Sequence, residues 1–148
     1  MDERLERLIK SYSVDFQKGR LNCAETVLIT MCDYYDMHMD ICPMIATTFG
    51  GGICSRQGIC GAMSGALMVI GLKHGRELGG DRSKAYELGK ALLDWCENEQ
   101  GSTICKELVF CDLSDPITQQ QFRKPGGAHD RVCEPLVVDV CRWLASNL

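Results

Sequence analysis

Long apolar runs and basic charge are both scarce in this sequence. The longest unbroken apolar segment, Ala66 to Ile70, is far shorter than the roughly 20 residues that cross a bilayer, so we expect no membrane insertion. The 16 Lys and Arg residues are outnumbered by 20 Asp and Glu residues, which gives a net charge of −4. Because nucleic-acid binding normally requires a basic face, we expect no nucleic-acid partner.

The motif Cys-x-x-Cys is also absent, although 10 of the 148 residues are cysteine. Zinc fingers, thioredoxin-type dithiols, bacterial ferredoxin motifs and c-type haem sites all depend on that spacing. The closest pairs are Cys54 with Cys60 and Cys105 with Cys111. A cysteine site in this chain must therefore be assembled from distant segments.

The N-terminus alternates charges where a secretory signal would have an apolar stretch. We therefore expect a cytoplasmic protein. Permanent disulfides are rare in that compartment, so many cysteines there more often indicate metal binding, redox chemistry or small buried apolar groups.

Apolar residues recur at helical spacing along most of the chain, and no stretch alternates long enough to indicate a strand. This pattern predicts an all-α fold over residues 1–148: a single compact bundle of about five main helices plus short helices, with no substantial sheet. The main helices are predicted at about 3–16, 23–35, 58–76, 81–100 and 130–147, with a start near residue 133 as the alternative for the last helix. The predicted N-caps are Asn22, Asp40, Asp81, Ser102, Ser114 and Asp130.

Gly61 and Gly65 lie on one face of the predicted helix from Gly58 to Arg76. A glycine inside a helix costs about 1 kcal/mol relative to alanine, so two on one face indicate close approach by another group. That group is either a cofactor, which makes both glycines candidate cofactor-binding residues, or the backbone of a packed helix. The same helix is also a candidate contact for a second copy of the chain in a homodimer.

Four cysteines fall at or near the first turns of four different predicted helices: Cys23, Cys60, Cys105 and Cys133. Unpaired N–H groups and the helix dipole favour an anion there, so we expect lowered pKa values and better nucleophiles or metal ligands. The mid-helix cysteines, Cys32, Cys96 and Cys141, are predicted core residues. The sequence leaves the roles of three others open: Cys42, Cys54 and Cys111.

Two further features near these cysteines are ambiguous. The run Gly50 to Gly52 lacks the Gly-Lys-Ser/Thr ending of a nucleotide loop, and we expect a flexible bend between helices, with a backbone nest for an anion or cluster as the alternative. His129 lies four residues before Cys133 and is a candidate base or ligand. A histidine in a surface turn beside a helix cap is the more common situation.

Several short segments together are similar to the C-GCAxxG-C-C family, whose members are described as redox-active. The matching segments are Asn22-Cys23-Ala24-Glu25, Phe49-Gly50-Gly51-Gly52, Cys60 to Ala66, Cys105 to Leu108, and Cys133. The family label places Gly before Cys, whereas here Ile59 precedes Cys60 and Gly61 follows it. The resemblance implies a small, mostly helical protein in which the four cysteines act together, in some relatives with selenocysteine at a cysteine position.

These observations predict a redox-active cysteine protein, either a thiol-based oxidoreductase or an electron carrier, with an unidentified redox partner. The four cysteines would ligate an iron–sulfur cluster or form a thiol/disulfide centre. One alternative is a protein that binds zinc or copper through thiolates for delivery or sensing. The other is a non-catalytic helical interaction module rich in buried cysteine.

Overall fold

The computed structural model describes all 148 residues and is all-α, as the hydrophobic pattern predicts. The helices are α1 (Glu3–Gln17), α2 (Cys23–Tyr34), α3 (Cys42–Ala46), α4 (Gly61–His74), α5 (Ser83–Gln100), α6 (Cys105–Val109), α7 (Pro116–Arg123) and α8 (Glu134–Asn147). A 3₁₀ turn (Thr47–Phe49) follows α3, and a π-helical turn (His129–Cys133) precedes α8. The only β-type pairing is an isolated bridge between Ile59 and Ile104.

Helices α2 and α4 form the centre of the molecule and share the most extensive helix contact. Both are apolar on most sides, which is the pattern of a helix buried on several faces. α1 and α8 pack against α2, and α5 and α8 pack against α4. No helix combines the length and the apolar composition that crossing a membrane would require.

The glycine face of α4 contacts α2 of the same chain. A Cβ atom added at Gly65 would lie 2.6 Å from the carbonyl oxygen of Ala24, and one added at Gly61 would lie 3.0 Å from the Cβ of Cys23. The close approach predicted for this face is therefore made by a helix backbone. The homodimer stays a prediction, but this face is not free for a second copy.

The predicted start of α2 is correct, and it places Cys23 as the first helical residue. The side chain of Asn22 accepts a hydrogen bond of 2.9 Å from the backbone N–H of Glu25. The side chain of Glu25 accepts one of 2.9 Å from the backbone N–H of Asn22. This reciprocal capping box satisfies two N–H groups that the helix itself leaves unpaired.

Helix α4 begins at Gly61 rather than at the predicted Gly58, because the preceding residues pair with another segment. The backbone N–H of Cys60 donates to the carbonyl of Thr103 over 2.8 Å, and that of Cys105 donates to Gly58 over 2.7 Å. An extended segment held in this way cannot also form a helical turn. Cys60 consequently occupies the N-cap position of α4.

The last helix begins at Glu134, so the prediction of Asp130 as its cap is wrong. A π-helical turn precedes it, in which the N–H of Glu134 donates to the carbonyl of His129. Pro135 has no N–H group, so it fits in the first turn of a helix but not farther inside. The structure therefore agrees with a start near Cys133.

Other predicted caps are displaced by one or two residues. Asp81 still accepts a hydrogen bond of 2.9 Å from the N–H of Ser83, although it is not itself the N-cap. The side chain of the residue directly before the N-cap thus performs the capping role. The residues at the N-cap positions of α3, α5, α6 and α7 are Ile41, Arg82, Ile104 and Asp115.

Replacing Gly65 by alanine should destabilise the fold by about 1–3 kcal/mol, because the methyl group would overlap a carbonyl of α2. Gly71→Ala on the same helix is the matched control. No atom lies within 4 Å of a Cβ at that position, so this substitution should stabilise by up to about 1 kcal/mol. Chemical denaturation measures both, and equal effects would contradict the packing role of Gly65.

Candidate functional site

A cavity of about 230 Å³ lies where the starts of α2, α4 and α6 meet the π-helical turn. All four of the predicted site cysteines line it, and Cys54 joins them. Cys23 is the first residue of α2, Cys60 caps α4, Cys105 opens α6, and Cys133 ends the π-helical turn. Segments far apart in sequence thus contribute to one cavity wall.

The five cavity cysteines differ in their access to solvent. Cys60 is 7% exposed and Cys105 is 8% exposed, so both belong to the inner wall. Cys23 and Cys133 are partly exposed, and Cys54 is exposed. All ten cysteines of the chain are free thiols. A molecule that enters from solvent would therefore meet Cys54 and Cys133 before the inner pair.

Two of the three cysteines with open roles lie off this cavity. Cys42 is buried and its sulfur lies 3.5 Å from that of Cys32, away from the cavity lining. Cys111 is partly exposed and also does not line it. The predicted core cysteines, Cys32, Cys96 and Cys141, are buried in the main core, as expected.

The prediction that helix starts lower thiol pKa values is wrong for Cys60 and Cys105. Burial raises the pKa of Cys60 above its usual range, and the nearby Cys23 adds to the effect. The backbone N–H groups of Ala62 and Met63 act in the opposite direction on the pKa of Cys60 but do not prevail. Burial likewise raises the pKa of Cys105 to about 11. Lost hydration of the thiolate therefore outweighs the helix-start effect.

The thiol of Cys133 has the strongest effect on the pKa of Cys23. The nearby thiol of Cys133, followed by burial, raises the pKa of Cys23 well above its usual range. Arg123 acts in the opposite direction on this pKa without reversing it. The residue is partly exposed, but its sulfur is enclosed by the cavity wall. Cys23 and Cys133 are thus neighbouring thiols that come from different segments.

The side chains are not arranged as a metal site. No group of three or more His, Cys, Asp or Glu side chains is placed to hold a metal ion. A closed zinc site and an iron–sulfur cluster each usually take four such ligands, so this arrangement does not fit either group as it stands. Ligation by these cysteines stays a prediction from the sequence.

The glycine run begins a left-handed loop that forms one wall of the cavity. The φ angles are positive at Gly51 and Gly52 and stay positive through Ile53, at 68°. A β-branched residue in this conformation costs roughly 1–2 kcal/mol. The N–H of Gly58 closes the loop by donating to the carbonyl of Gly52 over 2.8 Å. The expected bend is therefore a hydrogen-bonded loop.

Gln57 is a buried residue of this loop that the sequence analysis missed. Its side-chain amide donates to the carbonyl of Cys111 over 2.7 Å and accepts from the N–H of Leu113 over 2.9 Å. The same amide acts to lower the pKa of Cys105, against the larger effect of burial, which raises it. Gln57 therefore ties the left-handed loop to the segment after α6. An isolated glutamine in a loop carries no sequence signal for this role.

His129 lines the cavity and is only 4% exposed, so the expectation of a surface turn is wrong. Its ring centroid lies 4.4 Å from that of Phe16 and 5.5 Å from that of Phe122. The Nη1 atom of Arg123 donates to its Nε2 atom over 3.3 Å. Burial, followed by the charge of Arg123, lowers the pKa of His129 below 6.5, so the ring is neutral at pH 7.

Gly61 lines the cavity, but Gly65 does not, because Ala24 of α2 occupies its face. Only the first of the two candidate glycines therefore borders space that a bound group can fill. The binding role of Gly61 stays a prediction.

The fold and the site define a class: a small all-α protein with a cysteine-lined cavity. Residues 21–147 match the family model "Putative redox-active protein (C_GCAxxG_C_C)", and the chain belongs to this family. The resemblance drawn from the cysteine and glycine segments is thus confirmed. Searches of curated proteins and of solved structures found no significant match.

The raised pKa of Cys105 predicts an unusual pH profile of alkylation. Between pH 7 and 10 its rate with iodoacetamide should increase about tenfold per pH unit without levelling off, because its pKa is about 11. The same cysteine in the denatured chain should level off near pH 8.5. Mass spectrometry of the modified peptide gives both rates. A plateau near pH 8.5 in the folded protein would contradict the raised pKa, and a plateau below pH 8.5 would show that the helix start dominates.

Proposed function

We propose that the protein is a thiol/disulfide redox protein in which Cys23 and Cys133 form a reversible disulfide. The observation that carries this proposal is that both side chains line the same cavity, one from the start of α2 and the other from the end of the π-helical turn. Cys133 is partly exposed, so a substrate can meet its thiol from solvent, whereas the sulfur of Cys23 is enclosed. Family membership supports redox activity in general, and the shared cavity supports this particular pair.

The proposed reaction transfers two electrons to a small disulfide. The thiolate of Cys133 attacks one substrate sulfur, which forms a mixed disulfide and releases the first substrate thiol. The sulfur of Cys23 then attacks that of Cys133, which forms the protein disulfide and releases the second thiol. The protons of the two cysteines end on the two released thiols. The cysteine pair is oxidised and the substrate disulfide is reduced.

The cavity suits a reaction between two neutral states. Burial raises the pKa of Cys60 and Cys105, and the nearby Cys133 thiol together with burial raises that of Cys23. A thiolate at these three positions is thus unfavourable at rest, whereas a dithiol and a disulfide carry no charge. Because these two states differ by two electrons and two protons, we propose that electron and proton transfer are coupled here.

Cys60 and Cys105 form a second, inner pair in this proposal. Backbone hydrogen bonds join the segments that carry these two residues, from Cys60 to Thr103 and from Cys105 to Gly58, and this pairing supports an exchange between them. Cys60 would attack the oxidised Cys23 and release Cys133, and Cys105 would then attack Cys60 and release Cys23. The disulfide moves inward without net oxidation. The four cysteines would thus store up to two disulfides.

We place this reaction in the cytoplasm, where thiols are kept reduced and an electron donor is available to regenerate the dithiol. The identity of the donor is left to experiment. Iron, zinc and copper contents after anaerobic purification test the alternative cofactors, and stoichiometric iron with cluster absorption would replace the disulfide proposal.

Oxidation of the reduced protein with one equivalent of a small disulfide should link Cys23 to Cys133. Mass spectrometry of digested protein identifies the linked peptides. Cys133→Ser should abolish the link, whereas Cys111→Ser should not change it, because that partly exposed residue lies off the cavity. Recovery of both Cys23 and Cys133 as free thiols after oxidation of the folded wild-type protein would overturn the proposal.

The midpoint potential of the pair should fall by about 59 mV per pH unit, as expected for two protons and two electrons. For unperturbed thiols this slope decreases above about pH 8.5, where the dithiol ionises. Because the pKa of Cys23 is raised, at least one proton should stay coupled at higher pH, so the slope should not fall below about 30 mV per pH unit. Redox titration against a dithiol buffer between pH 7 and 10 measures it, and a slope near zero between pH 7 and 8 would contradict the coupled transfer.

A further inference from the structure

Arg123 is the only Asp, Glu, Lys or Arg side chain among the residues that line the cavity. The other polar lining groups include thiols, hydroxyls, amides and the neutral ring of His129. No carboxylate oxygen lies within 4.0 Å of its guanidinium group. Arg123 is itself an exposed residue, so the solvent-facing edge of the cavity carries one positive charge that has no counterion from the protein.

Neutral groups hold this charge in place. The Nη1 atom of Arg123 donates to His129 Nε2 over 3.3 Å, and the guanidinium carbon lies 6.0 Å from the ring centroid of Phe122. Since His129 is wedged between two aromatic rings, it provides a rigid acceptor for Arg123. The guanidinium group has five N–H donors, so most remain available for a ligand.

The charge also acts on the reactive thiols. Arg123 lines the same cavity as Cys23 and Cys133, and its charge acts to lower the pKa of Cys23 against the stronger effects of Cys133 and burial. An anionic group bound at Arg123 would consequently lie at the cavity that the thiols line. A planar guanidinium pairs well with a carboxylate because two parallel hydrogen bonds can form.

We infer that the substrate of this cavity is a small anionic disulfide whose carboxylate binds Arg123 while Cys133 attacks its sulfur. This inference rests on the proposed function and adds the substrate class to it. The volume of about 230 Å³ is below the range of roughly 300–1,000 Å³ typical of drug-sized ligands, which indicates a small molecule. The reaction and its balance are those given above, with the anionic group unchanged.

A pair of alkylating probes tests the charge preference. Iodoacetate is an anion and iodoacetamide is neutral, and both react with the thiolate. The ratio of their rates at one cysteine therefore does not depend on its thiolate fraction. At Cys23 and Cys133 the ratio in the wild-type protein should exceed that of free cysteine several-fold, and added salt should reduce the excess.

Substitutions then assign this excess to one side chain. Arg123→Gln should lower the iodoacetate to iodoacetamide ratio about fivefold, as expected for the loss of a charge interaction near 1 kcal/mol. Arg123→Lys should retain part of the excess. Lys124→Gln is the matched control, because it removes the same charge from the next residue, which does not line the cavity. Its ratio should equal that of the wild type.

The outcomes separate the two proposals. If Arg123→Gln changes both rates by the same factor, Arg123 acts on the thiolate and the anionic substrate is excluded. An unchanged iodoacetate to iodoacetamide ratio in an Arg123→Gln variant that unfolds like the wild type also excludes the anionic substrate. The disulfide between Cys23 and Cys133 is measured separately in the wild-type protein with a neutral oxidant. Its absence would overturn the proposed function whatever the ratio shows.

Discussion

The close packing of α2 on α4 is the contact on which the site depends. Without side chains at Gly61 and Gly65, the backbone of α2 reaches α4 at van der Waals distance along the segment that begins with Cys23. The starts of the two helices therefore lie side by side, and Cys23 faces the N-cap of α4. A larger residue in either position would separate the first two walls of the cavity.

The remaining walls depend on backbone pairing outside the helices. The strained left-handed loop after the 3₁₀ turn delivers residues 58–60 to pair with residues 103–105, which places Cys105 beside Cys60. Gln57 holds the other end of that loop through two hydrogen bonds. Strain of this kind persists only where surrounding contacts determine the conformation, and here they shape a cavity.

The electrostatics of the site follow from this enclosure. A helix start favours a thiolate by exposing N–H groups, but an apolar cavity removes the water that would stabilise the same charge. At Cys23, Cys60 and Cys105 the net effect is a raised pKa. A cavity with one uncompensated cation and several neutral thiols is thus suited to chemistry between uncharged sulfur states and to an anionic ligand.

The local sequence pattern was sufficient to predict part of this structure. Helical periodicity determined the all-α class, the N-cap Asn22 determined the start of α2, and the helix-start positions selected four of the five cysteines that line the cavity. Tertiary structure alone decided that His129 is buried, that Gln57 anchors a loop and that thiol pKa values rise. Periodicity and capping depend on neighbours in sequence, whereas burial and desolvation depend on segments that meet only after folding.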